Sequence, residues 1–523
     1  MRDFITNNKR LVSQILCLIV FAITFAVRLD SVNKKEGLYC DEVISILAAN
    51  YTDYGWKKFY DENVTYTGKQ IKELTLWNKP SIADAFQDVK KLYVNNKDRP
   101  HTNLYYSCLR LWFAGVVTTD LRKIINRGCG LNLLFFAFSF FFMYKLLRRL
   151  FNDDWLIPFS LLVAFLNGGS ISNAMFLRPY SLQETLLIAF TYSFVRRWED
   201  LEKRKLLLSN LKAYCKFVPV AGLTLLSGYF AAIYVLILMG TLIYLSWKTR
   251  QKDNVKFVCV SLFSSFLFAR ALYNKFFCGF TCGRAGEAYK QFGDVIINNL
   301  ITSSDAFFQI LRDHCIAAPL LWLIFMIAIF FPHRKNETDK KVLTIFAACF
   351  TWSFGVMFLA PFKVLRYIMS CFPLMSLIVP YAIFNINVAF RGLATATISV
   401  CLIAAHLSGF TKVEHLFTGQ SKQFEFFTKK PDVPVLVLAK RFWDCSYVLH
   451  HFSDAQTYEF PASKESFESK LNKYDSAIVL FSDEYSPQII QSLIPKNFNA
   501  VSINKLDAFS GYELRKNAAI RSE

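Results

Sequence analysis

Apolar stretches of about 20 residues recur along this chain, each long enough to cross the hydrocarbon core of a bilayer. LVSQILCLIVFAITFAVRL, residues 11–29, is the first. A soluble chain of 523 residues shows about one apolar run per helix face or strand. Here 54% of the residues are hydrophobic, 53 of them Phe, and the runs are near-continuous. That pattern predicts a mainly α, polytopic membrane protein. The first run lacks a short apolar core ending in a small-residue cleavage site, so it reads as a retained anchor and not a removed signal.

The net charge of +20 could point to nucleic acid, but its distribution excludes that class. Basic residues cluster in short loops between apolar runs, as the positive-inside rule expects. The predicted topology starts with a cytoplasmic N-terminus (Arg2, Lys9, Arg10) and a long outer loop over roughly 30–120. Span 2 (127–146) returns to Lys145, Arg148 and Arg149. Spans 3 and 4 (155–175, 180–195) make a hairpin whose outer turn is FLRPYS. Spans 5 to 7 cover 213–228, 230–247 and 257–273, followed by an outer loop at 274–314. Spans 8 to 11 cover 315–331, 341–360, 368–385 and 392–409, with APFKVLRY (360–367) as an outer turn. The sum is about eleven spans, counted to within one pair, with the C-terminus outside.

After residue 410 the character changes. PVLVLA (434–439) and SAIVLF (476–481) are short β-prone runs, separated and followed by the amphipathic stretches KESFESKLNKY and SPQIIQSLI. Strand and helix signals alternating at this spacing predict a small α/β domain over 410–523, outside the membrane, after a membrane module over 1–409. The 13 Cys lie mostly within spans, where they serve as small apolar residues. Cys278, Cys282, His314 and Cys315 match no standard zinc spacing. No cofactor is called for, and without a clear ligand cluster a divalent metal stays an open question.

Two helical patterns occupy the first outer loop, EVISILAANY (42–51) and SIADAFQDVKKLYV (81–94), both expected to lie in the membrane interface. The loop presents Asp41 and Glu42 at the start of the first, and Asp98, Arg99 and His101 before the LYYSCLRLW segment. Adjacent acids in a first helical turn complement the helix dipole, and for an arbitrary Asp-Glu pair capping suffices as an explanation. Here three further groups share the predicted membrane face: Asp98–Arg99–His101, Arg178 in LRPYS, and Lys363 with Arg366 in PFKVLRY. Carboxylates and cations converging over an outer cavity can deprotonate an alcohol and hold an anionic headgroup. Interfacial anchoring is the competing explanation for Arg178, and an aromatic belt for Tyr105, Tyr106, Tyr180 and Tyr367.

The order of these elements resembles the GT-C membrane glycosyltransferases that use polyprenyl-phosphate sugars, such as protein O-mannosyltransferases and the lipid A aminoarabinose transferase. The similarity covers roughly residues 10–385 and lies in the order and membrane side of the motifs. The resemblance implies that Asp41, just after span 1, is the catalytic carboxylate, with Glu42 and Asp98 as companion acids. HTNLYY (101–106) stands where the family often writes HPPLYY, so both prolines are missing; the alternative register matches Asp98–Arg99–Pro100–His101. It stays open at this stage whether Asp98 or His101 faces the site. Arg178 and Tyr180 match an RPY turn, and Arg366–Tyr367 an RY turn before a span containing Pro373. Arg99, His101, Tyr105, Arg178, Tyr180, Lys363, Arg366 and Tyr367 are the expected donor-phosphate and substrate contacts.

The implied activity is transfer of a sugar from a polyprenyl-phosphate carrier to a glycan, lipid A-like lipid or protein acceptor at the outer face, with inversion. The expected location is a bacterial inner membrane. A flippase or a polymerase of lipid-linked glycans is the alternative. A flippase needs charges lining a path through the membrane, and among the predicted spans Glu184 is the nearest such exception.

Overall fold

A computed structural model describes residues 8–54, 60–77, 81–203, 210–282, 296–315, 337–385, 388–425, 429–441, 443–503, 506 and 508–517. The chain forms two compact units. The first comprises Met1–Asn33, Tyr93–Tyr105 and Cys129–His415; the second comprises Lys34–Leu92, Tyr106–Gly128 and Leu416–Glu523.

Among the described residues, six helices are long and apolar enough to cross a membrane: Lys9–Lys34, Leu121–Leu150, Ala231–Lys248, Lys252–Leu272, Lys340–Leu359 and Phe390–Leu407. A bent pair, Leu156–Phe165 and Gly168–Met175, forms a seventh if it counts as one span. Tyr180–Glu202 adds a 23-residue helix that is polar over Ser181–Thr185, apolar over Leu186–Phe190 and charged at its end. The chain is a multi-pass membrane protein, mainly α, with a small C-terminal sheet. From residue 316 the expected eighth span lies outside the described residues. The stretch 274–314, expected as a loop, contains the helices Cys278–Cys282 and Ile296–Ile310.

Burial follows from how apolar residues are spread around each helix. Leu156–Phe165 is apolar on every side, and all ten of its residues are buried. The last long helix instead leaves Phe390, Leu393, Val400 and Leu407 exposed, an outward apolar face suited to lipid.

The bend of 57° between Leu156–Phe165 and Gly168–Met175 has an identifiable chemistry. Asn167 caps the second half, its side chain accepting from the Ser170 amide at 2.8 Å. Arg28 donates to the Phe165 carbonyl at 3.0 Å and to Ser170 Oγ at 2.8 Å. Glu184 accepts from Ser170 Oγ and Asn173 Nδ2, each at 3.1 Å. Backbone groups freed by a break inside a membrane must be satisfied by protein, and Arg28 does so here. Gly169 permits the close packing, since a Cβ there would stand 2.3 Å from the Phe372 ring.

The second unit carries a six-stranded sheet of order β1-β3-β2-β4-β6-β5, with β1 Tyr66–Thr67, β2 Val435–Leu438, β3 Thr457–Glu459, β4 Ser476–Ser482, β5 Phe498–Ser502 and β6 Phe509–Lys516. The pairs β2–β3 and β2–β4 are parallel; the others are antiparallel. Helices Lys464–Leu471 and Pro487–Leu493 bury Phe467, Leu471 and Ile490 against Leu436, Val479, Phe481 and Leu514. The predicted strands at 434–439 and 476–481 are the parallel pair at the centre of this sheet. Being buried on both faces, they read as continuous apolar runs.

One expectation for the first outer loop is corrected. The EVISILAANY segment forms the helix Cys40–Ala49, but eight of its ten residues are buried and Val43, Ile46, Leu47, Ala48 and Ala49 fully so. Apolar residues cover nearly its whole circumference, so it has no polar face to turn to water and is packed inside the unit. Ile82–Val94 keeps the expected amphipathic character, with Ile82, Phe86 and Val94 exposed and Ala85, Asp88 and Leu92 buried.

Candidate active site

The segment after the interfacial helix is held by its own side chains. Asn96 Nδ2 donates to the carbonyls of Asp98, His101 and Thr102 at 2.9–3.1 Å, while Asn96 Oδ1 accepts from the Asp98 amide. Thr102 donates to the Leu226 carbonyl, and Asn103 to that of Leu272 at 3.2 Å. Asn is suited to such local backbone pairing, and the loop is thereby pinned across the ends of two other helices.

The RPY turn is fixed in a parallel way. Asn132 Nδ2 donates to the Phe176 carbonyl at 2.9 Å, and Asn173 Nδ2 to that of Tyr180 at 3.2 Å. Between them Arg178 reaches the pinned loop. Its Nη1 lies 2.9 Å from Asp98 Oδ2 and its Nη2 lies 2.6 Å from His101 Nε2. Both partners of the ion pair are buried, with side chains 5% and 9% exposed. A guanidinium can only donate, so His101 Nε2 accepts and the ring proton sits on Nδ1.

This cluster borders a narrow cleft of about 30 Å³ lined by Pro100, His101, Tyr180, Gln183, Tyr229 and Tyr367, among others. Gln183 accepts from Ser370 Oγ at 2.8 Å, which ties the helix Tyr180–Glu202 to the turn carrying Tyr367. Tyr229 also lines a second cavity with Asn95, Asn96, Arg99, Tyr273, Lys275 and Cys278. Lys275 donates to Asn95 Oδ1 at 2.9 Å. This lining carries two exposed cations and no carboxylate. Burial is the first cause that pushes the phenols of Tyr229 and Tyr273 up, the latter to about 12, so both are neutral hydrogen-bond donors at ordinary pH.

Of the residues expected from the sequence, the structure thus brings Asp98, His101 and Arg178 into one bonded cluster, and places Tyr180 and Tyr367 around the same cleft. Arg99 faces the neighbouring cavity. Arg366 lies half-buried with its guanidinium carbon 5.5 Å from the Tyr367 ring centre. Two others have structural engagements. Tyr105 is buried with its hydroxyl 3.3 Å from Asn132 Oδ1. Lys363 donates to the carbonyls of Met357, Phe358 and Ala360, closing the C-terminus of Glu337–Leu359 as a cation there should. Sequence reasoning missed Gln183, Tyr229, Tyr273 and Lys275; all sit in stretches where one polar residue beside a span carries no periodic signal.

Asp41 and Glu42 belong to the second unit, and their environments differ sharply. Glu42 is fully buried and accepts from Lys35 Nζ at 3.0 Å and from the Tyr39 amide at 2.7 Å. Lys35 is fully buried too, its ammonium 4.8 Å from the Phe417 ring centre. Glu42 therefore closes its helix with a capping box and a buried ion pair. Asp41, one residue earlier, is half-buried. Glu42→Gln removes one partner of the buried pair, which costs about 3–5 kcal/mol. Adding Lys35→Met removes the stranded charge and should recover most of that, measured as the unfolding midpoint of purified protein in detergent. A double variant as unstable as the single one would disprove this pairing.

Neither a protein-family model nor a curated protein matches the sequence. Among solved structures, ArnT from Cupriavidus metallidurans bound to undecaprenyl phosphate aligns with a TM-score of 0.51 at 10% identity, over 96% of this chain and 98% of that one. The oligosaccharyltransferase of Archaeoglobus fulgidus in its apo form aligns with a TM-score of 0.47 at 10% identity, over 97% of this chain and 75% of that one. The first likeness shows the fold: the chain shares the architecture of ArnT, the GT-C fold that the motif order implied.

Proposed function

We propose that this protein is a membrane glycosyltransferase that moves a sugar from a polyprenyl-phosphate carrier to an acceptor hydroxyl or amine on the outer face of a bacterial inner membrane. The observation that carries the reading is the buried Asp98–Arg178–His101 cluster beside a cleft of tyrosines, next to a cavity whose charged lining is wholly cationic. The shared fold supports it, since the related ArnT structure holds undecaprenyl phosphate.

The chemistry accounts for the residue types. Displacement at the anomeric carbon passes through an oxocarbenium-like state, and a carboxylate on the acceptor side takes the acceptor's proton. Asp41 is that base, by its place after the first span; Glu42 holds the helix that carries it. The leaving group is a lipid phosphate, which needs fixed cations and no general acid. Arg99 and Lys275 are the cations placed to hold it, with Tyr229 and Tyr273 as neutral donors, and Arg366 contributes from the turn beside Tyr367. Arg178 holds His101 and Asp98 at the cleft, where they position the sugar. A single displacement inverts the anomeric centre. The acceptor is a lipid-linked glycan, a lipid A-like lipid or a protein.

The flippase reading gains nothing from the membrane interior. Arg28 and Glu184 are buried there, but their bonds to Ser170, Asn173 and the Phe165 carbonyl hold the bend of a span. The deciding experiment incubates purified protein with isotopically labelled polyprenyl-phosphate sugar and membrane acceptors. Label in a new product supports transfer; label carried across a vesicle membrane with the carrier intact refutes it. Arg99→Gln and Lys275→Gln should each raise the donor KM about tenfold, the worth of one partly exposed charge-assisted hydrogen bond, with a smaller change in kcat. Unchanged donor KM in both would remove the phosphate from this cavity.

A further inference from the structure

At the other end of the membrane helices, the first unit has a second charged cavity that the transfer chemistry does not use. It is lined by Arg10, Tyr144, Lys145, Arg148, Arg149 and Tyr192, with a volume of about 390 Å³, within the size of small-ligand sites. The lining comes from the start of the helix Lys9–Lys34, the end of Leu121–Leu150 and the latter half of Tyr180–Glu202. Tyr180 lines the candidate active cleft, and the twelve residues from there to Tyr192 rise about 18 Å. On the helix Leu121–Leu150 the seventeen residues from Asn132, which holds the RPY turn, to Arg149 rise about 26 Å. The two sites therefore face opposite leaflets.

We propose that this cavity binds the phosphate headgroup of an anionic phospholipid in the leaflet opposite the candidate active site. Four cations line it and no carboxylate does. The arginines are held from outside the lining: Arg148 pairs with Asp154, and Arg149 with Glu199. Among the described residues Arg10 and Lys145 have no such carboxylate, although Lys145 lies 4.8 Å over the Phe141 ring. Arg149 and Arg196 both lie over Tyr192, at 5.5 and 5.8 Å from its ring centre. Basic residues in an inner loop are expected of any span end. Their convergence from two helices onto one cavity is not, because among the described residues Arg10 and Lys145 add their charge there without a counter-charge of their own, and like charges repel one another. A bound phosphate supplies that charge, and two tyrosines at headgroup depth supply hydroxyl donors. Basic pockets between membrane helices hold anionic headgroups in this manner.

The test uses the purified full-length chain in neutral phosphatidylcholine nanodiscs with added phosphatidylglycerol, and reads retained lipid by native mass spectrometry. The wild type should retain phosphatidylglycerol in preference to phosphatidylcholine. Arg10→Gln with Lys145→Gln should weaken that retention about 25-fold, roughly fivefold per charge removed. Lys248→Gln with Arg250→Gln removes two charges from another helix end outside the cavity, and should leave retention unchanged. An equal loss in both double variants would mean that diffuse surface charge holds the lipid, which overturns the site. Displacement of the lipid by millimolar inorganic phosphate would overturn the lipid as ligand and assign the cavity to a soluble phosphate. The result is independent of glycosyl transfer, since it reads lipid and not turnover.

Discussion

Asp41→Asn is expected to lower turnover by about two to four orders of magnitude, the usual worth of a positioned general base, while the protein stays monodisperse in detergent. The substitution keeps the size and hydrogen-bonding capacity of the side chain and removes only its basicity. Asp41 is half-buried in the first turn of Cys40–Ala49, where an acid complements the helix dipole by about 0.3–1 kcal/mol. Stability should therefore change little. The neighbouring acid behaves oppositely. Glu42 is locked to Lys35 and to the Tyr39 amide, so Glu42→Gln should show itself in stability, with turnover per folded molecule less affected. The crossed pattern separates the two acids: one variant folds and does not turn over, the other turns over and unfolds early. Near-normal turnover in Asp41→Asn, read against labelled donor with protein normalised by gel filtration, would hand the base to Asp98.

Much of this arrangement was legible because membrane proteins write their constraints into long runs. The spans at 11–29, 127–146 and 257–273 and the central strands at 434–439 and 476–481 needed only apolar length. The grouping of Asp98, His101 and Arg178 was legible from order and membrane side, though not the register: only the structure shows that both Asp98 and His101 meet Arg178. The pairing of Tyr66–Thr67 with Thr457–Tyr458 had no signal, since a two-residue strand has no periodicity and its partner lies almost 400 residues away. The burial of Cys40–Ala49 was misread because its apolar residues at helical spacing suggested an amphipathic helix at the membrane interface. Glu42 escapes water by meeting Lys35, a long-stemmed cation that lies before the helix Cys40–Ala49 and not on it. Lys275 was hidden at the start of the outer loop 274–314, where one Lys beside a span end carries no signal of its own.

The Arg178 cluster carries the other large effect. Arg178 divides its two terminal nitrogens between Asp98 and His101, a fork that an ammonium cannot reproduce. Arg178→Lys should therefore fall short of wild type. Asp98→Asn strands a buried guanidinium, which costs about 3–5 kcal/mol of stability, and it should also reduce normalised turnover about 10²–10³-fold, the loss typical of one preorganised polar group in an active site. A purely structural ion pair would give the first effect without the second. The double variant Asp98→Asn with Arg178→Met tells them apart. With no buried charge left, stability should recover, because a buried pair replaced by neutral groups of similar volume is often tolerated. Turnover should not recover, because His101 then loses the donor that fixes its Nε2 lone pair and its place at the cleft beside Tyr180. If the double variant regains both stability and turnover, the cluster is only a clamp between the pinned loop and the RPY turn, and the sugar must be positioned by Gln183 and the tyrosines alone.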